Sequence, residues 1–161
     1  MLGLYTNFPQ HIHRVLRFKA LISTKKLQRT MVNTLHDLNT KRQLLSYSAD
    51  VIMHFEFGIA DGEDFNYLDA EEVEKILKAL NGGEVRVLDF FCVICYYRVE
   101  GLSRKPLKFD YYMLRMIFDK GELEIRVYHE KGPRRVAPEE LAEFIINKVN
   151  EKSSRRVLKT I

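Results

Sequence analysis

From His11 to Ile22 the apolar residues Ile12, Leu16, Phe18, Ala20 and Ile22 fall on even positions, with Arg17 and Lys19 between them. That is the period of a half-buried strand, interrupted at Arg14. Ser23 is placed to cap a helix over Thr24–Asn39, in which Leu27, Met31, Leu35 and Leu38 line one face. Val51, Met53, Phe55, Phe57 and Ile59 then alternate with Asp50, His54, Glu56 and Gly58 as a second strand. Asp69 with Glu72, and Leu68 with Val73, give a helix-start signature. The helix that follows buries Val73, Ile76, Leu77 and Leu80 and stops at Gly82-Gly83. Three strands come next, over Glu84–Glu100, Leu107–Phe118 and Glu122–Glu130. The last of these alternates cleanly and reads as an edge. Pro138, Glu139 and Glu140 open a final helix with Leu141, Phe144, Ile145 and Val149 on its face, and the tail 152–161 frays or extends it.

The element order β-α-β-α-β-β-β-α predicts a single α+β domain over 1–161, with a mainly antiparallel sheet of about five strands and helices packed on one face. The strands RVLDFFCVICYYRV, FDYYMLRMIF and ELEIRVYHE, taken in that order, resemble the helix-grip arrangement of TATA-box-binding-protein-like domains, shared by some uncharacterised archaeal proteins. The resemblance implies a helix across the concave face of the sheet. The chain has none of the duplicated halves of the TATA-binding protein, so no DNA-bending function is implied.

The strand around DFFCVICYY is apolar on both faces: Val85, Val87, Phe91, Val93 and Cys95 on one, Leu88, Phe90, Cys92, Ile94 and Tyr96 on the other. An antiparallel sheet normally shows one face to water, so the second face here must meet a helix, an apolar small molecule or another subunit. A homodimer follows as the expected partner. Three residues apart on a strand, Cys92 and Cys95 point to opposite faces and cannot jointly hold a metal; both read as buried structural thiols.

Charge changes the picture. Residues 1–48 hold eight Lys or Arg against one acid, Asp37, a net +7, and residues 49–80 hold nine acids against Lys75 and Lys78, a net −7. The two blocks are expected to attract each other. With two cysteines, no stretch long and apolar enough to span a membrane and no secretory leader, the chain reads as cytoplasmic. The abundance of Lys, Arg and Glu resembles the composition of proteins from hot environments.

Candidate chemistry is sparse. Arg14, Arg17, Lys19, Lys25, Lys26, Arg29, Lys41 and Arg42, with Arg155, Arg156 and Lys159 of the tail, can meet a phosphate backbone if they share a face. Tyr96, Tyr97, Tyr111 and Tyr112 would serve as base-stacking platforms if exposed. His54 and Glu56 share a strand face with Asp50 and offer a polar pair for acid-base or metal chemistry; His11 and His13 share another. The acidic stretch Asp61–Glu72 fails as a calcium loop because Phe65 stands at a ligand position and Asn66 where the turn wants Gly. No catalytic constellation, metal set or cofactor motif is read. The expected function is a non-catalytic binding or interaction module that self-associates, with nucleic-acid binding by the basic N-terminal block and tail as the alternative and an enzyme built on His54 and Glu56 ranked third.

Overall fold

The computed structural model describes residues 1–41 and 44–161. Its elements are β1 (Arg14–Ala20), α1 (Thr24–Lys41), β2 (Leu45–Ser46), β3 (Val51–Asp61), β4 (Asp64–Tyr67), α2 (Ala70–Gly82), β5 (Val87–Glu100), β6 (Ser103–Pro106), β7 (Asp110–Asp119), β8 (Glu122–Lys131), α3 (Pro138–Lys152) and β9 (Leu158–Thr160). Seven strands run in the order β2-β3-β5-β7-β8-β1-β9 as a curled half-barrel, with β4 on β3 and β6 on β5, every pairing antiparallel.

The α+β class and the antiparallel sheet hold, but the expectation of about five strands is corrected to nine among the described residues. The four additional strands are two to four residues long. A run that short carries no period of its own; each exists because a longer neighbour offers a ladder, as Leu45 finds Met53, Tyr67 finds Gly58, Pro106 finds Tyr97 and Leu158 finds Ala20. β8 is interior, because β1 docks on its free side and carries β9 beyond it. The path therefore ends on the two shortest strands, β2 and β9, which leave little unpaired backbone for another chain.

One face of the sheet is the core. The register lines Phe57 up with Cys92, Cys92 with Tyr112, and Leu114 with Val127. Side chains of all three helices close over this face: Leu27, Met31 and Leu35 from α1, Ile76 and Leu80 from α2, Leu141, Ile145 and Val149 from α3, none more than 2% exposed. Each such side chain contributes about 1.5–3 kcal/mol of burial. Ser23 caps α1 through its Oγ, which accepts from the Lys26 N–H, and Asp69 caps α2 by accepting from the Glu72 N–H.

The opposite face is covered in part by the chain itself. The ladder between β3 and β5 ends at Phe57 and Cys92. Beyond that point the N-terminal segment enters: the Gly3 N–H donates to the Ala60 carbonyl and the Gly3 carbonyl accepts from the Asp89 N–H. Gly3 has φ +87°, and a Cβ there would lie 3.0 Å from Leu88 Cδ2, so the close approach suits glycine. Tyr5 packs its ring on Phe65 of β4, and Phe65 packs on Phe91 of β5. The tail leaves α3 at Lys152, turns, and returns as β9. No helix among the described residues is long and apolar enough to cross a membrane.

Candidate functional site

The first site grows from the way α1 is turned. Committing Leu27, Met31 and Leu35 to the core leaves Lys25, Lys26 and Arg29 exposed on the same helix. The turn after α3 is fixed by Asn150, whose Oδ1 accepts from the N–H groups of Val157 and Leu158 while its Nδ2 donates to the Leu158 carbonyl. This brings Arg155 and Lys152 across from α1. The resulting groove, about 490 Å³, is lined by Lys25, Lys26, Arg29, Lys152 and Arg155 together with uncharged Ser23, Thr30 and Asn33 and apolar Ile22 and Val157, and no acid among the described residues lines it.

Lys25, Lys26, Arg29 and Arg155 take part in no ion pair among the described residues, while Lys152 pairs with Asp37. The helix macrodipole favours acids in the first turn, yet α1 has none there and places two lysines in it. Dipole and side chains thus add to one positive potential, which an anion would relieve. The expected attraction between the charge blocks does not consume these cations: among the described residues the single ion pair between the blocks is the N-terminal amine with Asp61, and the acids of the second block pair mostly with Lys75, Lys78, His54 and Arg98.

Of the basic residues singled out in the sequence, the groove gathers Lys25, Lys26, Arg29 and Arg155. Arg156 and Lys159 line a separate cavity beside Phe18 and Glu143. Arg17 is tied to Glu124 at 3.0 Å, and Arg14 and Lys19 stay exposed on β1. Lys41 lines a third cavity that also holds Asp37 and Glu151; Arg42 lies outside the described residues. Sequence reasoning missed Lys152, whose signal was its place at the end of the last helix beside the basic tail. Tyr96 and Tyr112 are fully buried, and Tyr97 and Tyr111 are half-buried away from the groove, so no ring stands ready to stack a base there.

A second polar cluster, unseen in the sequence, surrounds Asp110. This fully buried carboxylate accepts from the Tyr96 hydroxyl at 2.7 Å, from His129 Nε2 at 2.8 Å, and from the Arg134 and Arg135 N–H groups at 2.6 and 2.9 Å. Burial pushes the Asp110 carboxyl up, but these donors more than offset it and hold it below its ordinary value. Burial, with Asp110 adjoining, pushes the Tyr96 hydroxyl far up, so it keeps its proton and donates. The loop after β8 reaches Asp110 only through Gly132, at φ +115°, where a Cβ would sit 2.3 Å from the Phe109 carbonyl oxygen. Every oxygen of Asp110 is occupied by the protein, so this cluster is a knot that closes the loop onto the sheet, with no lone pair left for a substrate.

His54 and Glu56 lie together on the outer face of β3, Nε2 to Oε1 at 3.3 Å, with the Tyr97 ring stacked on the imidazole at 5.5 Å. Asp50, just before the same strand, turns instead toward Arg98, 3.9 Å away. His13 stacks on Tyr128 and accepts from the His129 N–H, while His11 meets it edge-on. Cys92 is buried in the core face and Cys95 in the outer face. No family model, no curated protein and no solved structure matches the chain.

Proposed function

We propose that this chain is a non-catalytic binding module that holds duplex nucleic acid by its phosphates in the groove between α1 and the turn after α3. The observation that carries the reading is the groove's charge: Lys25, Lys26 and Arg29 of α1 and Arg155 of the turn after α3, none in an ion pair among the described residues, with no acid among the described lining residues. Phosphate contacts supply affinity and register without reading sequence, which suits a groove whose described lining residues include five cations and no aromatic ring. Fluorescence anisotropy of a labelled mixed-sequence duplex at low salt tests it. The variant Lys25→Ala/Arg29→Ala/Arg155→Ala is expected to weaken binding by more than about tenfold, roughly 1.4 kcal/mol or more, whatever the duplex sequence, and Arg14→Ala/Lys19→Ala to leave it nearly unchanged. Equal affinity for wild type and the triple variant overturns the reading.

Self-association is the second reading. What favours it is the half-buried strip of Val93, Tyr97 and Tyr111 on the outer face of β5 and β7. Sedimentation across a concentration series gives a dimer mass if that reading holds and a constant monomer mass if it does not.

A further inference from the structure

We propose that His54, Glu56 and Cys95 bind a divalent cation of the zinc class on the outer face of the sheet. The three side chains offer one nitrogen, one oxygen and one sulfur, all within 4.8 Å of one another. The fold makes the cluster by register: His54 and Glu56 are two apart on β3 and so share a face, and Cys95 of β5 is the direct cross-strand partner of His54. The Cys-x-x-Cys spacing is therefore incidental, since Cys92 faces the core.

The His54–Glu56 distance fits the edge of a small tetrahedral ion's shell, and the Cys95 sulfur lies within 4.8 Å of both. With bonds of about 2.0–2.1 Å to nitrogen and oxygen, the edge of a tetrahedron is about 3.3 Å, and His54 Nε2 lies 3.3 Å from Glu56 Oε1. A thiolate with an imidazole selects zinc or cobalt over magnesium and calcium, which prefer oxygen alone. The Tyr97 ring, stacked at 8° to the imidazole, fixes the plane in which His54 presents its nitrogen. Access is from the Glu56 side, because that side chain is 43% exposed while Cys95 is 4% exposed. Three protein donors leave a fourth position for water, the arrangement of open zinc sites. An ordinary surface ion pair accounts for His54 with Glu56; it does not account for a buried sulfur within 4.8 Å of both.

On binding, the ion takes the place of the thiol proton: Cys–SH plus M²⁺ gives Cys–S–M⁺ plus H⁺, with no change of oxidation state.

Titration of the full chain with cobalt(II), followed by absorption, tests the site. One equivalent is expected to bind with a sulfur-to-cobalt charge-transfer band, to release a proton, and to be displaced by zinc. Cys95→Ser should abolish the band, and Cys92→Ala should keep it. Glu56→Gln, at a half-exposed position where folding is not at risk, should weaken binding by more than about tenfold, the loss seen when even an outer-sphere partner is removed. The absence of a charge-transfer band at saturating cobalt overturns the proposal, as does a Glu56→Gln affinity equal to wild type; the latter decides the matter even if Cys95→Ser fails to fold.

Discussion

Asp110→Ala is expected to destabilise the fold by about 3–5 kcal/mol, read as a fall in midpoint temperature of roughly 6–20 °C for a chain of this size. The magnitude comes from what the substitution leaves behind. The Tyr96 hydroxyl, two backbone N–H groups and His129 all lose their acceptor at once in a dry site. Asp110→Asn should fall between, because the amide keeps one acceptor oxygen but turns a donor toward the other pair of donors. The pH dependence has a definite sign. The folded carboxyl titrates below its ordinary value, so the unfolded chain takes up protons first as pH falls. Its contribution is complete above about pH 4 and is lost as pH drops through the folded value. Wild type should therefore lose stability steeply below about pH 4, and Asp110→Ala should show a shallower acid limb. A change in stability under about 1 kcal/mol, with an unchanged acid limb, removes the knot from the account.

Arg115→Ala should cost a similar amount, about 3–5 kcal/mol, because it strands a buried charge. Asp89 is fully buried, and Arg115 grips it twice, Nε to Oδ1 and Nη2 to Oδ2, each at 2.8 Å. The same carboxylate accepts from the Tyr5 N–H, and the Phe8 ring lies over the guanidinium at 4.5 Å. The pair thus fastens the N-terminal segment across the outer face. Loss of Arg115 should release that segment before the rest unfolds, so hydrogen exchange at Tyr5 and Gly3 should accelerate more than exchange in β7 or β8. The double variant Asp89→Ala/Arg115→Ala should be less destabilised than Arg115→Ala alone, since the uncompensated charge is gone. Protection at Tyr5 equal to wild type in Arg115→Ala excludes this fastening role.

What the sequence disclosed and what it withheld follow from one distinction. Features written into a single segment were legible: the alternation of β3, the apolar stripe of α1, the Asp69 cap, and the opposite facing of Cys92 and Cys95. Features that need two distant segments in register were not. Asp89 stood inside an apolar run and Arg115 inside the next, a charge on the outer face of each of two neighbouring strands, and only the pairing of residue 89 with 115 makes them a couple. Asp110 and His129, or His54 and Cys95, are brought together in the same way. The doubly apolar β5 reads as a strand whose second face must meet a helix, a small molecule or another subunit, but part of that cover is residues 3–8 and Phe65, whose short runs carry no period. The gathering of the basic residues depends on the turn that Asn150 fixes, and no spacing along the chain encodes it.

The salt dependence of duplex affinity puts the phosphate-groove reading at greatest risk. Four groove cations in no ion pair among the described residues, each releasing about 0.9 counterion, give an expected slope of about −3.6 for the logarithm of the association constant against that of salt concentration. Removing Lys25, Arg29 and Arg155 should reduce its magnitude by about 3. A wild-type slope near zero, or one that the triple variant leaves in place, overturns the assignment.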